Sequence, residues 1–148
     1  MFWDQERKES VLLQDEQVIP EQSTQSLVAL SEGKLLGGTS VLPGTGGQQK
    51  AKEAQLYLMD MATKRVEWHE PMVSGALVYT DLCLGPAGLV YGLVDRRQFI
   101  VFDSASKQIV HSEDMGDSFG VVNYQQGYRV FVTGDEGRVF ALFGDSIA

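Results

Sequence analysis

Histidines and carboxylates are the side chains of this sequence that could support catalysis or metal binding. His69 and His111 lie in two related segments, and their positions differ by one residue when the segments are aligned. The carboxylates beside them are Glu67, Glu70, Glu113 and Asp114. A zinc site needs three or four ligands that converge on one point, and a glycosidase needs two carboxyl groups on either side of one bond. These residues fall in segments that we interpret as outer strands, so the sequence predicts a solvated rim, no metal site and no catalytic residue.

Signatures of nucleophilic catalysis are missing from the sequence as well. It contains no Gly-x-Ser-x-Gly, no Cys–His pairing and no cysteine cluster with metal spacing. Cys83 is the single cysteine, which excludes an intrachain disulfide, and its position between Leu82 and Leu84 favours a small buried apolar role. We therefore predict no cofactor, and a non-enzymatic protein is preferred to an enzyme.

The segment 40–53 is the first candidate for ligand binding. It carries the letters LPGTGG at positions 42–47, followed by Lys50 and Lys52. The first five letters fit the sortase pattern LPxTG, but no apolar tail with a basic stop follows, which argues against sorting. The spacing is not that of a phosphate-binding P-loop. Long loops in compact folds are usually functional or disordered, so a ligand-binding loop and a mobile hairpin tip remain equal alternatives.

The elements that must position these residues are strands. The segment 79–115 contains four apolar runs separated by short turn clusters, with no helical spacing. Within the third run, Phe99 and Val101 point to one face and Ile100 and Phe102 to the other. A sheet buried on both faces, in a sequence without a helix to cover it, must pack against other sheets of its kind. That is the packing of a β-propeller, in which four-stranded blades stack around an axis.

The rest of the chain repeats this unit. Residues 56–60 match residues 99–103, 43 positions later, and residues 139–143 follow 40 positions after that. Gly33, Gly88 and Gly127 each close a first strand, and the spacing is that of propeller blades. We predict one domain, 1–148, made of an outer strand and connector (1–25), a first blade (26–72), a second blade (79–115) and an incomplete third blade (120–148).

The two ends of the chain set the predicted assembly. Residues 1–4 and 139–143 both resemble a third strand, and we expect 139–143 to take that place, with 1–4 as a lead-in. We also expect the N-terminal strand to close the edge of the last blade, in its own chain or in a partner chain. Three blades are too few for a ring, whereas two chains give six. The prediction is a homodimer forming one six-bladed ring. The alternatives are a fragment of a longer propeller and an unclosed stack of sheets.

The composition of the chain limits the classes of binding partner and the cellular location that we expect. A net charge of −8 argues against a nucleic-acid or anionic-membrane surface, because both need a concentrated positive patch. No apolar stretch is long enough to span a membrane, and the first residues lack a secretion signal. We expect a cytoplasmic protein by default, or a piece of a longer exported chain.

Two glycine-rich segments resemble repeats of known propellers. Residues 33–39 and 88–93, each followed by a strand ending in Asp60 or Asp103, are similar to bacterial quinoprotein-like, WD40-like and kelch-like blades. The Trp-Asp pair of WD40 repeats occurs once, at Trp3-Asp4, outside its usual context. The resemblance implies the fold, and no catalytic residue follows from it.

The predicted function is a self-associating binding module for a glycan, a small polar ligand or a peptide. The alternatives are a carbohydrate-acting hydrolase or lyase with its site on the axial face, and a structural scaffold. We expect the charged turns 95–97 and 134–137 to share one face with the 40–53 segment, although solvated surface is the favoured interpretation of the turns. Tyr79 and Asp81 open a first strand near the axis, where packing would equally explain them. The predicted ligand-binding residues are Tyr79, Asp81, Arg96, Arg97, Asp135, Glu136 and Lys50.

Overall fold

The computed structural model describes residues 1–122, 130–143 and 146–147, which form an all-β protein with one four-residue helix. The strands are β1 (Phe2–Asp4), β2 (Glu9–Val11), β3 (Ser23–Ala29), β4 (Lys34–Ser40), β5 (Leu56–Asp60), β6 (Arg65–Glu70), β7 (Tyr79–Leu84), β8 (Leu89–Val94), β9 (Gln98–Asp103), β10 (Gln108–Asp114), β11 (Phe131–Thr133), β12 (Val139–Phe143) and β13 (Ser146–Ile147), and helix α1 is Gly116–Phe119. The prediction of an all-β fold is confirmed.

Four sheets follow one another along the chain. β3–β6 form one four-stranded antiparallel sheet and β7–β10 form another, each with its strands paired in sequence order. We call them the first and second full sheets. β1 and β2 form the N-terminal hairpin, and β11, β12 and β13 form the C-terminal sheet. The predicted four-stranded antiparallel unit is therefore present twice.

The main core lies between the two full sheets. Ile100 and Phe102 of β9 are completely buried there against Leu36 and Leu58 of the first full sheet. The rings of Trp68 and Phe102 stack across the interface with centroids 5.8 Å apart. Apolar surface buried between sheets is the dominant stabilising contribution in such a stack.

Both full sheets are also covered on their other faces. Phe99 packs in a second cluster with Leu93, Phe131 and Phe143, so the C-terminal sheet lies on the outer face of the second full sheet. A third cluster, which includes Phe2, joins the N-terminal hairpin to the outer face of the first full sheet. The order in the stack is therefore hairpin, first full sheet, second full sheet, C-terminal sheet.

The structure corrects the strand assignment at the C-terminal end. The turn between β11 and β12 has the same backbone as the turn between β7 and β8: Glu136 (φ 59°, ψ 24°) matches Ala87 (φ 54°, ψ 29°). β12 therefore corresponds to the second strand β8, and its prediction as a third strand is wrong. Apolar composition alone does not distinguish the two buried central strands, because both are covered on two faces. Gly127, predicted to close a first strand, lies outside the described residues.

The N-terminal hairpin corresponds to the third and fourth strands of a full sheet, so the prediction of residues 1–4 as a lead-in is wrong. Its turn repeats those of β5–β6 and β9–β10, with Lys8, Lys64 and Lys107 at φ 55°, 57° and 57°. In each turn an aspartate, Asp4 in the hairpin, accepts backbone N–H hydrogen bonds. Within the chain this hairpin lies at the opposite end of the stack from the C-terminal sheet, so it does not close the last blade of its own chain. The two-chain ring remains a prediction.

Candidate functional site

The loop that connects β4 to β5 contains residues 41–53 of the segment 40–53 and is fixed at its base. Val41 donates its backbone N–H to Leu77 over 2.9 Å, and Ala54 donates to Ala76 over 2.7 Å. The side chains of Val41 and Ala54 are buried in the main core. The connector 71–78, which leads into the second full sheet, therefore holds both ends of the loop.

The tip of the same loop is exposed. Gly47 donates to the carbonyl of Gly44 over 2.9 Å in a tight turn, and Gly46 adopts a φ of 79° that favours glycine. Residues 42–50 are all exposed to solvent. A loop with a fixed base and an exposed tip can present side chains to a ligand without disturbing the core.

A cavity of about 320 Å³ lies between this loop and the start of β3. We call it the loop cavity. Its polar lining residues are Glu21, Gln22, Ser23, Ser40, Gln48 and Lys50. One cation, one carboxylate, amides and hydroxyls on one small concave surface are the groups that bind polar ligands by directed hydrogen bonds.

Gln22 forms a fixed part of the cavity wall. Its side chain is only 7% exposed and accepts a hydrogen bond from the hydroxyl of the completely buried Thr39 over 2.5 Å. The Thr39 hydroxyl in turn accepts the backbone N–H of Gln55 over 2.7 Å. This network joins β4 to the segment before β5, so the wall is organised without a ligand.

Tyr79 and Asp81 lie in the interior. Tyr79 is completely buried, and burial raises the pKa of its hydroxyl. Asp81 accepts backbone N–H groups from Val130 over 2.7 Å and Phe131 over 3.0 Å. The Asp81 carboxylate thus links the second full sheet to the C-terminal sheet.

Arg96 and Arg97 lie in the turn between β8 and β9. Arg97 contacts Asp114 at 2.7 Å and Asp117 at 3.5 Å. The hydrogen bond with Asp114 raises the pKa of Arg97 and lowers that of Asp114. The backbone N–H of Arg96 donates to the Thr80 hydroxyl over 3.0 Å. These contacts hold the turn to its neighbouring segments.

The turn of Arg96 and Arg97 meets the same connector as the 40–53 loop. Asp95, the first residue of that turn, accepts the backbone N–H groups of Leu77 and Val78, each over 2.9 Å. The carbonyl of Leu77 also accepts the N–H of Val41 at the base of the loop. The predicted common position of these two second-to-third-strand connections is therefore observed.

Asp135 and Glu136 lie elsewhere. They form the turn between β11 and β12, a first-to-second-strand connection equivalent to that of β7 and β8. Such turns lie at the opposite ends of the strands from the turn of Arg96 and Arg97, so the prediction that both turns share one face is wrong. The prediction failed because it treated β12 as a third strand, whereas β12 is a second strand. Both residues are exposed, and Glu136 pairs with Arg138 at 2.7 Å.

The histidines lie on outer strands. His69 shares a hydrogen bond of 2.7 Å with the side chain of Gln55, and His111 is 3.5 Å from Glu113. Over the described ranges of the chain, no three His, Cys, Asp or Glu side chains are grouped to hold a metal ion. No helix among those residues has the length and apolar character needed to cross a bilayer.

Sequence reasoning found Lys50 but missed the rest of the loop cavity. Glu21, Gln22 and Ser23 belong to a polar stretch that we interpreted as a connector. Ser23 pairs with Ser40 in the β3–β4 register, and this pairing carries the connector to the base of the loop. The sequence did contain a signal for this part of the cavity. The polar residues 21–23 lead directly into a strand that was expected to pair with the strand before the long loop.

Neither a family model nor a curated protein matches the sequence. Several solved structures share its fold, including the following two. The extracellular domain of a putative one-component system from B. thetaiotaomicron has a TM-score of 0.58 and 11% identity, covering 84% of this chain and 16% of that one. The β-propeller domain of Cps50 (Swd1) from Myceliophteria thermophila has a TM-score of 0.56 and 17% identity, covering 84% of this chain and 38% of that one. The chain thus spans well under half the length of these structures, and the likeness concerns the fold alone: its four-stranded sheets resemble β-propeller blades.

Proposed function

We propose that this chain is a non-enzymatic, self-associating β-propeller module that binds a small polar ligand in the loop cavity. A propeller-like fold supports a binding or scaffold module. The observation that carries the proposal is the polar concave surface of about 320 Å³ beneath a loop whose base is fixed and whose tip is exposed. The ligand class that matches this surface is rich in hydroxyl groups, as a glycan is.

Lys50 and Glu21 are the two charged residues that line the cavity. Both line it and both are exposed, so a ligand can reach their charges without desolvating them fully. Gln22 and Ser40 offer hydrogen-bonding groups held in place by the fold. A pre-organised wall reduces the entropy lost on binding.

An enzymatic alternative finds less support. Asp81, which would be the catalytic carboxylate on the axial side, already accepts three backbone N–H groups through its two oxygens. Substitution of Asp81 would therefore disturb folding as well as any turnover. A purely structural role is separated from ligand binding by the following experiment.

Thermal unfolding in the presence of oligosaccharide and short-peptide panels tests the proposal. At 100 times Kd a ligand stabilises the folded state by about 2.7 kcal/mol, which raises Tm by about 5–10 °C for a chain of this size. The Lys50→Ala variant should lose this response. Lys52→Ala is the matched control, since Lys52 is an exposed lysine of the same loop and is not part of the cavity lining.

Deletion of residues 45–50 is the second arm. It removes the exposed tip and leaves the hydrogen bonds of Val41 and Ala54 at the base, so folding should persist while the ligand response disappears. No response to any compound, or equal responses of Lys50→Ala and Lys52→Ala, would contradict binding at this site and favour a scaffold. A response to peptides alone would replace the glycan as the ligand class.

A further inference from the structure

Two incomplete sheets lie at the two ends of the stack, and their strands are complementary. The C-terminal sheet supplies the first strand, the second strand and the beginning of a third. The N-terminal hairpin supplies the end of a third strand and a fourth strand. We infer that the hairpin of a second copy of this chain pairs with β12, so that two copies together build a composite four-stranded blade. This inference rests on the proposed self-association and names the surface that carries it.

The register of the C-terminal sheet leaves a defined place for the hairpin. In the second full sheet, Val94 pairs with Gln98 and Leu93 pairs with Phe99. In the C-terminal sheet, Phe143 pairs with Ser146 and Leu142 with Ile147. β13 therefore occupies the first two positions of a third strand, those equivalent to Gln98 and Phe99.

The N-terminal hairpin occupies the positions that β13 leaves. Asp4 pairs with Glu9 as Asp103 pairs with Gln108, so Phe2–Asp4 is equivalent to residues 101–103. β13 and the segment Phe2–Asp4 therefore correspond to different parts of the same third strand and do not overlap. Among the described residues, Val139, Phe140 and Ala141 of β12 pair with β11 and have no strand on their other side. Such an open edge is a template for strand pairing.

An apolar groove lies beside this open edge. Its volume is about 580 Å³, and it is lined by Tyr91, Phe99 and Val101 of the second full sheet and by Phe140 of β12. The side chain of Phe140 is 44% exposed. In a complete blade the third and fourth strands would cover this outer part of the second full sheet, which is the part that the hairpin would supply.

A second groove lies beside the hairpin at the other end of the stack. It has a volume of about 260 Å³, and Leu27, Leu35 and Tyr57 of the first full sheet line it together with Phe2. Here part of the outer face of the first full sheet is left uncovered at its inner strands, and Leu27 of β3 is 49% exposed. First and second strands such as β11 and β12 are the elements missing from this place. Each end therefore lacks the elements that the other end carries.

Charges at the proposed contact have the right signs. In the first full sheet, Lys34 at the start of the second strand pairs with Asp60 at the end of the third over 3.0 Å. The equivalent residues are Arg138, which directly precedes β12, and Asp4 of the hairpin. Within one chain Arg138 contacts Glu136, and Asp4 is 4.0 Å from Arg7, all at exposed positions. In the composite blade Arg138 would meet Asp4 of the second copy across the strands, as Lys34 meets Asp60.

Counting gives the size of the closed assembly. Each chain contributes two full sheets and two complementary parts of a third, so two copies give four full and two composite blades. Propellers typically contain four to eight blades. In a dimer with a two-fold axis, the C-terminal sheet and the N-terminal hairpin of each chain would both pair with the other copy. Two-fold symmetry is the commonest symmetry of oligomers.

Disulfide trapping tests the composite blade. The β8–β9 pair Val90 and Phe102 is equivalent to Val139 and the Trp3 of a second copy, and directly opposed residues allow disulfide geometry. Trp3→Cys and Val139→Cys are made separately in a Cys83→Ser background, mixed and oxidised. A cross-linked species at twice 16.3 kDa is expected from the mixture and from neither variant alone. The control replaces Val139→Cys by Val132→Cys, an exposed position on β11.

Solution mass by light scattering of the unmodified chain completes the test. A dimer at micromolar concentration together with selective cross-linking of positions 3 and 139 supports the composite blade. A dimer without that cross-link overturns the composite blade and leaves self-association through another surface. A monomer overturns both, while the ligand response of the loop cavity, measured independently, still decides the binding function.

Discussion

Single polar side chains connect the neighbouring sheets of this protein. Ser26 and Asp81 occupy the same place in β3 and β7, directly after a register shift in each strand. Ser26 donates its hydroxyl to the carbonyl of Tyr79 over 2.8 Å, and Asp81 accepts N–H groups at the start of the C-terminal sheet. Both reach the first strand of the next sheet. The sequence suggested Asp81 as a ligand candidate because a polar residue in an apolar strand is consistent with either role.

Asp60 should make stability depend on pH in the acidic range. The Thr63 backbone N–H, the Lys34 side chain and the Thr63 hydroxyl lower the pKa of Asp60 to about 2, against an ordinary value of 3.8. The folded state therefore gains stability above pH 3.8, and this gain disappears as the pH falls from 3.8 to about 2. We predict that Asp60→Asn lowers the urea midpoint at pH 7 and that the difference from the unmodified chain shrinks towards pH 2.

Urea unfolding at pH 7, 4 and 2.5 measures this effect. Asp135→Asn, a change in an exposed turn, is the control and should leave the midpoint nearly unchanged. A constant difference between Asp60→Asn and the unmodified chain across this range would contradict the assigned role of the ionised carboxylate.

Turns define the strand identities at the level of elements. The aspartate turns of β1–β2, β5–β6 and β9–β10 share one geometry, and the glycine turns of β7–β8 and β11–β12 share another. The sequence showed the runs and turns of the second full sheet, because short apolar runs between turn clusters are specific for strands. It did not show that β12 is a second strand, since that depends on left-handed backbone angles at Glu136, which a glutamate in the sequence does not indicate.

Glycine in the middle of a second strand permits close packing. A Cβ added at Gly92 would lie 2.9 Å from Cγ1 of Ile100 and 3.2 Å from Cδ2 of Leu82. At the equivalent Gly37, the ring of Tyr57 already occupies the place of a Cβ. We predict that Gly92→Val destabilises the fold by about 1–3 kcal/mol through overpacking, measured by chemical denaturation.

Gly44 is the matched control for this substitution. A Cβ there would meet no atom within 4 Å, and the residue lies in the exposed loop tip. Gly44→Val should therefore change the free energy of unfolding by no more than about 0.5 kcal/mol. Equal effects of the two substitutions would contradict the close approach at Gly92.

Packing between sheets holds the whole molecule together. Phe102 is completely buried between the two full sheets and stacks on Trp68. We predict that Phe102→Ala lowers the free energy of unfolding by about 3–5 kcal/mol, the usual cost of truncating a buried phenylalanine. Denaturation followed by the fluorescence of the tryptophans measures it. Val110→Ala, at a side chain 56% exposed, should have little effect, and a loss as large as that of Phe102→Ala would show that the sheets do not pack as described.

The all-β character, the four-stranded unit and its burial on two faces follow from the amino-acid sequence, because apolar side chains such as Phe99 and Ile100, on opposite faces of one strand, leave no solvent-facing side. The folded structure was needed to show that β12 is a second strand, that Asp81 holds a neighbouring sheet, and that Glu21 and Gln22 meet Lys50 at one cavity. The difference lies in how far apart in the chain the interacting residues are. Strand formation follows from local alternation and turn chemistry, whereas a cavity or a bond between sheets joins residues that are distant in the chain and adjacent only after the sheets stack.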